Sequence, residues 1–132
     1  MVKVSVVVCT KNRAKMLKDC VDSLLNQDIK ENFEILIIDN DSTDNTEETA
    51  SKLVADNKNI RYFKEKVIGY SVPRNRGWKE AKGDIVAYID DDEIAPAHWI
   101  RTIYESFQNE LSPDIVGGNY LLKYDLDPPK WF

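Results

Sequence analysis

The sequence has little of what soft metals and cross-links require. It holds one histidine, His98, and two cysteines, Cys9 and Cys20, without a C-x-x-C spacing. A disulfide scaffold and a zinc cluster are thereby excluded, and both thiols are expected to be buried and reduced. His98 reads as a neutral surface residue. Apolar runs near the roughly 20 residues that span a bilayer are also missing. The run over residues 4–9 contains Ser5 and passes straight into Thr10-Lys11-Asn12-Arg13, the pattern of a strand and not of a signal peptide. A cytoplasmic placement is the expectation, with peripheral contact at the inner face of the membrane left open. Positive charge is in deficit: 18 Lys and Arg against 23 Asp and Glu leave a net charge of −5, so nucleic acid is not expected as a partner. There is no G-x-G-x-x-G after the first strand, no G-x-x-x-x-G-K-[ST] and no G-x-S-x-G. These absences argue against dinucleotide, P-loop and serine-hydrolase chemistry.

What is present is the profile of one soluble domain over residues 1–132, with 42% hydrophobic and 31% charged residues. The apolar periodicity alternates between strand and helix. Strands are predicted over 4–9, 34–39, 60–63, 84–90 and 115–122, the last bent at Gly117-Gly118. A helix over 14–26 presents Met16, Leu17, Cys20, Val21, Leu24 and Leu25. A second opens on a capping box of Asp44 and Glu47 and runs to about Ala55. A third starts at Ser71-Val72-Pro73 and ends at Gly83 as a left-handed cap. A fourth, opened by Pro96, turns Trp99, Ile100, Ile103 and Phe107 inward. The predicted architecture is α/β, a mostly parallel sheet with helices on both faces. Such sheets bind ligands outside the carboxyl ends of their strands, near the point where strand order reverses.

Six of the fourteen aspartates fall in two short loops at those ends: Asp39, Asp41 and Asp44 after the second strand, and Asp90, Asp91 and Asp92 after the fourth, followed by Glu93. Like charges this close are costly unless something positive sits among them. An exposed acidic loop can also simply be solvated, but its place at the strand ends favours a ligand. Oxygen donors without His or Cys suit Mg²⁺ or Mn²⁺, which commonly take one or two protein carboxylates and leave positions for phosphate oxygens. Lys11, Arg13, Arg74 and Arg76 are placed on the same rim as candidates for holding an anion, although each also fits a solvated surface cation.

Four ordered segments carry a resemblance. The strand over 4–9 with Thr10-Lys11-Asn12-Arg13 is the first, and Ile38-Asp39-Asn40-Asp41-Ser42-Thr43-Asp44-Asn45-Thr46 the second. Pro73-Arg74-Asn75-Arg76-Gly77 with Ala81-Lys82-Gly83-Asp84 is the third. Tyr88-Ile89-Asp90-Asp91-Asp92-Glu93 ahead of Pro96 matches a DxD motif. Together they resemble the N-terminal, nucleotide-sugar-binding part of family 2 glycosyltransferases, which have the GT-A fold.

The resemblance implies an inverting transferase that moves a sugar from a metal-bound nucleotide-diphospho-sugar, a UDP-sugar first, to a glycan or lipid-linked acceptor in cell-surface polysaccharide synthesis. It implies a base pocket of Asp39 and Thr10, with Asn12, Arg13, Asp41 and Arg74 near the donor. It also implies Asp92 and Asp90 as ligands of Mn²⁺ or Mg²⁺, with Asp90 or Asp91 at the ribose or a bound water. The family's general base has no match: Asp125 and Asp127 do not fit its motif, so the catalytic base stays unassigned. The expectation is a donor-binding domain that stops before the acceptor half. A non-catalytic nucleotide-sugar-binding module working with a partner chain is the alternative. A receiver-like domain is disfavoured, because it needs acidic residues where Thr10 to Arg13 stand. A phosphatase is disfavoured because its DxD follows the first strand.

Overall fold

The computed structural model describes residues 1–109 and 113–122. Eight elements alternate along the chain: β1 (Val4–Thr10), α1 (Ala14–Leu25), β2 (Phe33–Asp39), α2 (Thr46–Asp56), β3 (Ile60–Lys64), α3 (Ser71–Glu80), β4 (Ile85–Asp90) and α4 (Trp99–Gln108). The four strands form one parallel sheet in the order β3-β2-β1-β4. The chain therefore starts in the middle, builds outward through β2 to β3, and crosses back to place β4 on the other side of β1. The reversal of strand order lies at β1, and the carboxyl ends of β1 and β4 open a crevice there.

Alternation within the central strands separates two apolar layers. Val4, Val6 and Val8 of β1 and Ile35 and Ile37 of β2 pack with Leu17, Cys20, Val21 and Leu24 of α1, Ala50 and Leu53 of α2, and Ile100 of α4. Val7, Leu36 and Ile38 face the other way, into a smaller layer with Cys9, Phe63, Ala81 and Val86. That second layer is covered by α3, whose Gly77 backbone sits directly on Val7. Helices thus lie on both faces, as expected. Each fully buried Val, Leu or Ile contributes about 1.5–3 kcal/mol, so the larger layer dominates stability.

Several local expectations need correction. Met16 is half exposed, on the wall of an open cleft and not among the buried residues of α1. Asp44 does not form a capping box with Glu47. The N-cap of α2 is Asn45, without a side-chain cap. Asp44 Oδ1 instead accepts from the Thr46 backbone N–H at 3.0 Å, and Glu47 pairs with Lys64 at 2.8 Å. The third helix ends at Glu80, and Gly83 is not left-handed. Gly83 is required for a different reason, since a Cβ there would lie 2.7 Å from the Ser5 backbone nitrogen and 2.8 Å from the Val4 carbonyl carbon. The fourth helix begins at Trp99, after a turn in which Trp99 N–H donates to the Pro96 carbonyl.

The fifth strand is not observed: residues 115–122 pair with no strand among the described residues, and Ile115, Tyr120, Leu121 and Leu122 are exposed. A β-rich pattern becomes a strand only when a ladder partner satisfies its backbone, and none is described beside it. Tyr124, Asp125, Asp127, Trp131 and Phe132 lie outside the described residues. No described helix is long and apolar enough to cross a membrane.

Both cysteines are free, as expected, but only Cys20 is buried; Cys9, near the end of β1, is partly buried, which corrects the expectation of two buried thiols. Burial, with the nearby Asp90 and Asp91 carboxylates adding to it, pushes the Cys9 thiol up to about 11 even though Arg74 pulls the other way. Burial pushes Cys20 up to about 12. Only the thiolate reacts with alkylating reagents. Native-state labelling at neutral pH is therefore expected to run about a hundredfold or more below the rate for the unfolded chain, as read by mass spectrometry. Labelling of Cys20 at the unfolded rate would contradict the packing described for α1, and labelling of Cys9 at that rate the packing of the layer beneath α3.

Candidate functional site

Three loops meet at the carboxyl ends of β1, β2 and β4. Their backbones are shaped for it: Asn12 in the first loop and Asp41 in the second are the two non-glycine residues with positive φ among the described residues, at 54° and 60°. Asn and Asp tolerate this conformation better than other side chains. The Asn12 backbone N–H donates to Ser42 Oγ at 2.8 Å, and Asn12 Oδ1 accepts from the Thr43 N–H at 2.7 Å. Asn12 thereby latches the β1 and β2 loops together, and its side-chain oxygen is engaged within the protein.

Asp39 closes β2 fully buried. Its Oδ1 accepts from the Ser42 N–H at 2.8 Å and its Oδ2 from the Tyr62 hydroxyl at 2.9 Å. Burial, reinforced by that hydrogen bond and by the Asp39 charge, pushes the Tyr62 hydroxyl well above its ordinary range, so it stays a proton donor. Asn40 is also buried and uses its whole amide. Nδ2 donates to the Glu65 and Val67 carbonyls at 3.1 and 2.8 Å, and Oδ1 accepts from Gly69 N–H at 3.1 Å. Together with the Glu65 N–H bond to the Asp39 carbonyl at 2.8 Å, these contacts tie the loop that leads to α3 to the end of β2. Neither Tyr62 nor Asn40 was singled out by the sequence. Tyr62 reads there as a strand residue, and only the β2–β3 register reveals its reach to Asp39.

The acidic run after β4 divides three ways. Asp91 is buried, accepting from Thr10 Oγ1 at 2.7 Å and from Arg13 Nη1 at 3.0 Å. Asp92 is half exposed and also meets Arg13 Nη1, at 3.2 Å. Asp90 is exposed and pairs with Arg74 Nη2 at 2.6 Å. Arg74 is itself held over the Tyr70 ring, 3.9 Å from its centroid, and donates to the Tyr70 carbonyl. Glu93 folds the loop back, its Oε2 accepting the Asp90 N–H at 2.9 Å. The positive partners that the crowded carboxylates require are thus Arg13 and Arg74. Arg76 is not among them; it pairs with Glu80 at 3.0 Å and lies over Phe63. Lys11 and Asp41 stand at the rim, exposed and partly exposed.

Beside Arg13 and Asp92 the surface falls into an open cleft of about 650 Å³, lined by Asn12, Arg13, Met16, Asp91, Asp92 and Ile94 among others. No group of three or more His, Cys, Asp or Glu side chains able to enclose a metal occurs among the described residues. What the loop offers is two solvent-facing carboxylates, Asp90 and Asp92, with Asp91 committed inward. That donor set fits a hard cation that takes one or two protein carboxylates and completes its shell with phosphate and water oxygens.

The model of the family described as Glycosyl transferase family 2 matches residues 5–131. A GalNAc(5)-diNAcBac-PP-undecaprenol beta-1,3-glucosyltransferase of Campylobacter jejuni is 36% identical over 134 residues, covering 100% of this chain and 42% of its own length. Among solved structures, S. aureus TarS 1-349 in complex with UDP-GlcNAc superposes with a TM-score of 0.72 at 30% identity, over 80% of this chain and 31% of that one. The mannosyltransferase PcManGT from Pyrobaculum calidifontis, in complex with GDP-Man and Mn²⁺, gives a TM-score of 0.72 at 25% identity over 87% of this chain and 34% of its own. The chain spans between 15% and 42% of the length of eight of the curated relatives it matches.

Proposed function

The chain belongs to glycosyl transferase family 2, and from that premise we propose that it binds the nucleotide-diphospho-sugar donor, a UDP-sugar, for transfer to a glycan or lipid-linked acceptor. The observation that carries this reading is the convergence of Thr10, Asp39, Arg13, Arg74 and the three aspartates 90–92 on one crevice at the reversal of strand order. In it Asp39, held by Tyr62 and the Ser42 N–H, forms the floor of the base pocket with Thr10, its neighbour across the β1–β2 ladder. Asp90 serves the ribose and shares the divalent cation with Asp92. Asn12 and Asp41 shape the loops around the nucleoside, and Arg13 and Arg74 face the diphosphate. Mn²⁺ or Mg²⁺, when bound, supplies Lewis acidity that offsets the charge growing on the departing nucleoside diphosphate. The protein's own part is to hold the donor and to place two guanidinium groups where that charge develops.

The sugar acceptor and the catalytic base are not assigned to any described residue. An acceptor linked to lipid, of the kind named for the Campylobacter relative, would bring the protein to the inner face of a membrane.

The test is calorimetric titration of UDP with and without Mn²⁺, with GDP as the comparison. Metal-dependent UDP binding is expected, weakened about tenfold or more in Asp92→Ala, the range for losing a charged ligand contact. Failure of a folded protein to bind either nucleotide with metal present would overturn the proposal.

A further inference from the structure

Arg13 touches two carboxylates through a single nitrogen, and the two are unlike. Asp91 is buried and pinned by Thr10, so its contact with Arg13 is a fixed hinge. Asp92 is half exposed, with Arg13 Nη1 at 3.2 Å. Nη1 carries two hydrogens, which is what donating to both oxygens requires.

From this geometry we infer that Arg13 is the built-in counter-ion of Asp92 and couples cation binding to diphosphate binding. The inference rests on the donor-site reading above. With no donor present, Arg13 neutralises Asp92 and lowers its affinity for a divalent cation. A cation that takes Asp92 must displace the guanidinium, and the freed N–H of Nη1, still hinged at Asp91, needs a new acceptor. A diphosphate oxygen is the acceptor that a nucleotide donor brings. Cation alone therefore breaks an ion pair without replacement, whereas cation and diphosphate together exchange one set of partners for another. The two ligands bind as a unit, and by linkage each tightens the other by the same factor. Arg74 stands toward Asp90 as Arg13 stands toward Asp92, but its guanidinium is stacked on Tyr70 and is not hinged at a second carboxylate, so Arg13→Gln removes one of the two ion pairs and leaves the other in place.

The test measures Mn²⁺ binding by electron paramagnetic resonance of the free ion, for the wild-type chain, Arg13→Gln and Arg13→Lys, each with and without saturating UDP. Circular dichroism checks that each variant is folded. In the wild type, UDP is expected to tighten Mn²⁺ by a factor in the range of about 5 to 150. In Arg13→Gln, Mn²⁺ alone should bind about two- to fivefold tighter, the scale of releasing a half-exposed ion pair, while the factor contributed by UDP shrinks. Lysine keeps the charge but not the forked donors. Arg13→Lys is therefore expected to restore weak binding of Mn²⁺ alone and to recover the coupling only in part. Unchanged or weaker binding of Mn²⁺ alone to a folded Arg13→Gln chain, with UDP still tightening it as in the wild type, would overturn the inference. If UDP does not bind at all, the donor-site reading falls. The comparison of Mn²⁺ alone between the wild type and Arg13→Gln still decides whether Arg13 masks Asp92.

Discussion

Gly77→Ala is expected to lower the unfolding free energy by about 2–4 kcal/mol and the melting temperature by about 5–15 °C. A Cβ at position 77 would lie 2.3 Å from Val7 Cγ1, 2.9 Å from Cγ2 and 3.2 Å from Cβ. Val7 cannot yield. It stands on the central strand β1, is 1% exposed, and as a β-branched side chain it is stiff at χ1. The helix must therefore lift off the sheet and open the layer of Val7, Leu36 and Ile38 beneath it. Alanine's better helix propensity returns only about 1 kcal/mol. Because Arg74 is one turn away on the same helix, the shift would also loosen its 2.6 Å contact with Asp90, so nucleotide affinity should fall along with stability. Adding Val7→Ala removes the clashing methyl groups, and calorimetry should show the double variant more stable than the sum of its parts predicts. Strict additivity of the two losses would mean that the contact is not what limits the helix.

Gly77 illustrates what the sequence discloses and what it hides. Its presence in Pro73-Arg74-Asn75-Arg76-Gly77 is visible as part of a pattern, but the need for a glycine appears only once α3 is seen seated on Val7. The same division runs through the fold. Continuous runs such as Val6-Val7-Val8 and Ile35-Leu36-Ile37-Ile38 are legible as doubly covered strands because burial on both faces leaves no polar position. The order β3-β2-β1-β4 is not legible, because it depends on which edges meet. Residues 115–122 have the composition of a strand and no described partner, since pairing is a property of two segments and sequence pattern belongs to one.

In the site, the positions of Thr10, Asp39 and Asp90 to Asp92 follow from their places at strand ends, and the structure does bring them together. The need for positive charge near the aspartates is also legible, but not which of Lys11, Arg13, Arg74 and Arg76 supply it. The side chain of Arg76, two residues from Arg74, goes instead to Glu80 and the Phe63 ring.

Glu34 carries the last of these lessons and a large expected effect. At the opposite end of the sheet from the crevice, this buried carboxylate accepts from Ser5 Oγ at 2.7 Å and the Lys82 N–H at 2.8 Å on one oxygen, and from Arg61 Nη1 at 3.1 Å on the other. Arg61 in turn donates to the Glu80 carbonyl at 2.8 Å. Strands β1, β2 and β3 and the turn that leads into β4 are thus tied through one side chain. Burial alone would raise the Glu34 carboxyl, but the hydrogen bonds from Ser5, Lys82 and Arg61, with the Arg61 charge, outweigh it and hold the group below its ordinary value of 4.5. A depressed folded value means that the unfolded chain takes up the proton first. The stabilisation is therefore complete above about pH 4.5 and is lost as pH falls through the lower folded value.

Glu34→Gln keeps the shape and one acceptor but removes the charge facing Arg61. It is expected to cost about 1–2 kcal/mol at pH 7, below the range for breaking a fully buried pair because Arg61 keeps 28% of its side chain exposed. Asp44, held below its ordinary range by hydrogen bonds from Thr46, titrates in the same window in both proteins and cancels in the comparison. Urea unfolding from pH 7 down to pH 3 should therefore show the two curves converging as pH falls below about 4.5. A gap of constant size across that span would mean that the Glu34 carboxylate acts by shape and not by charge.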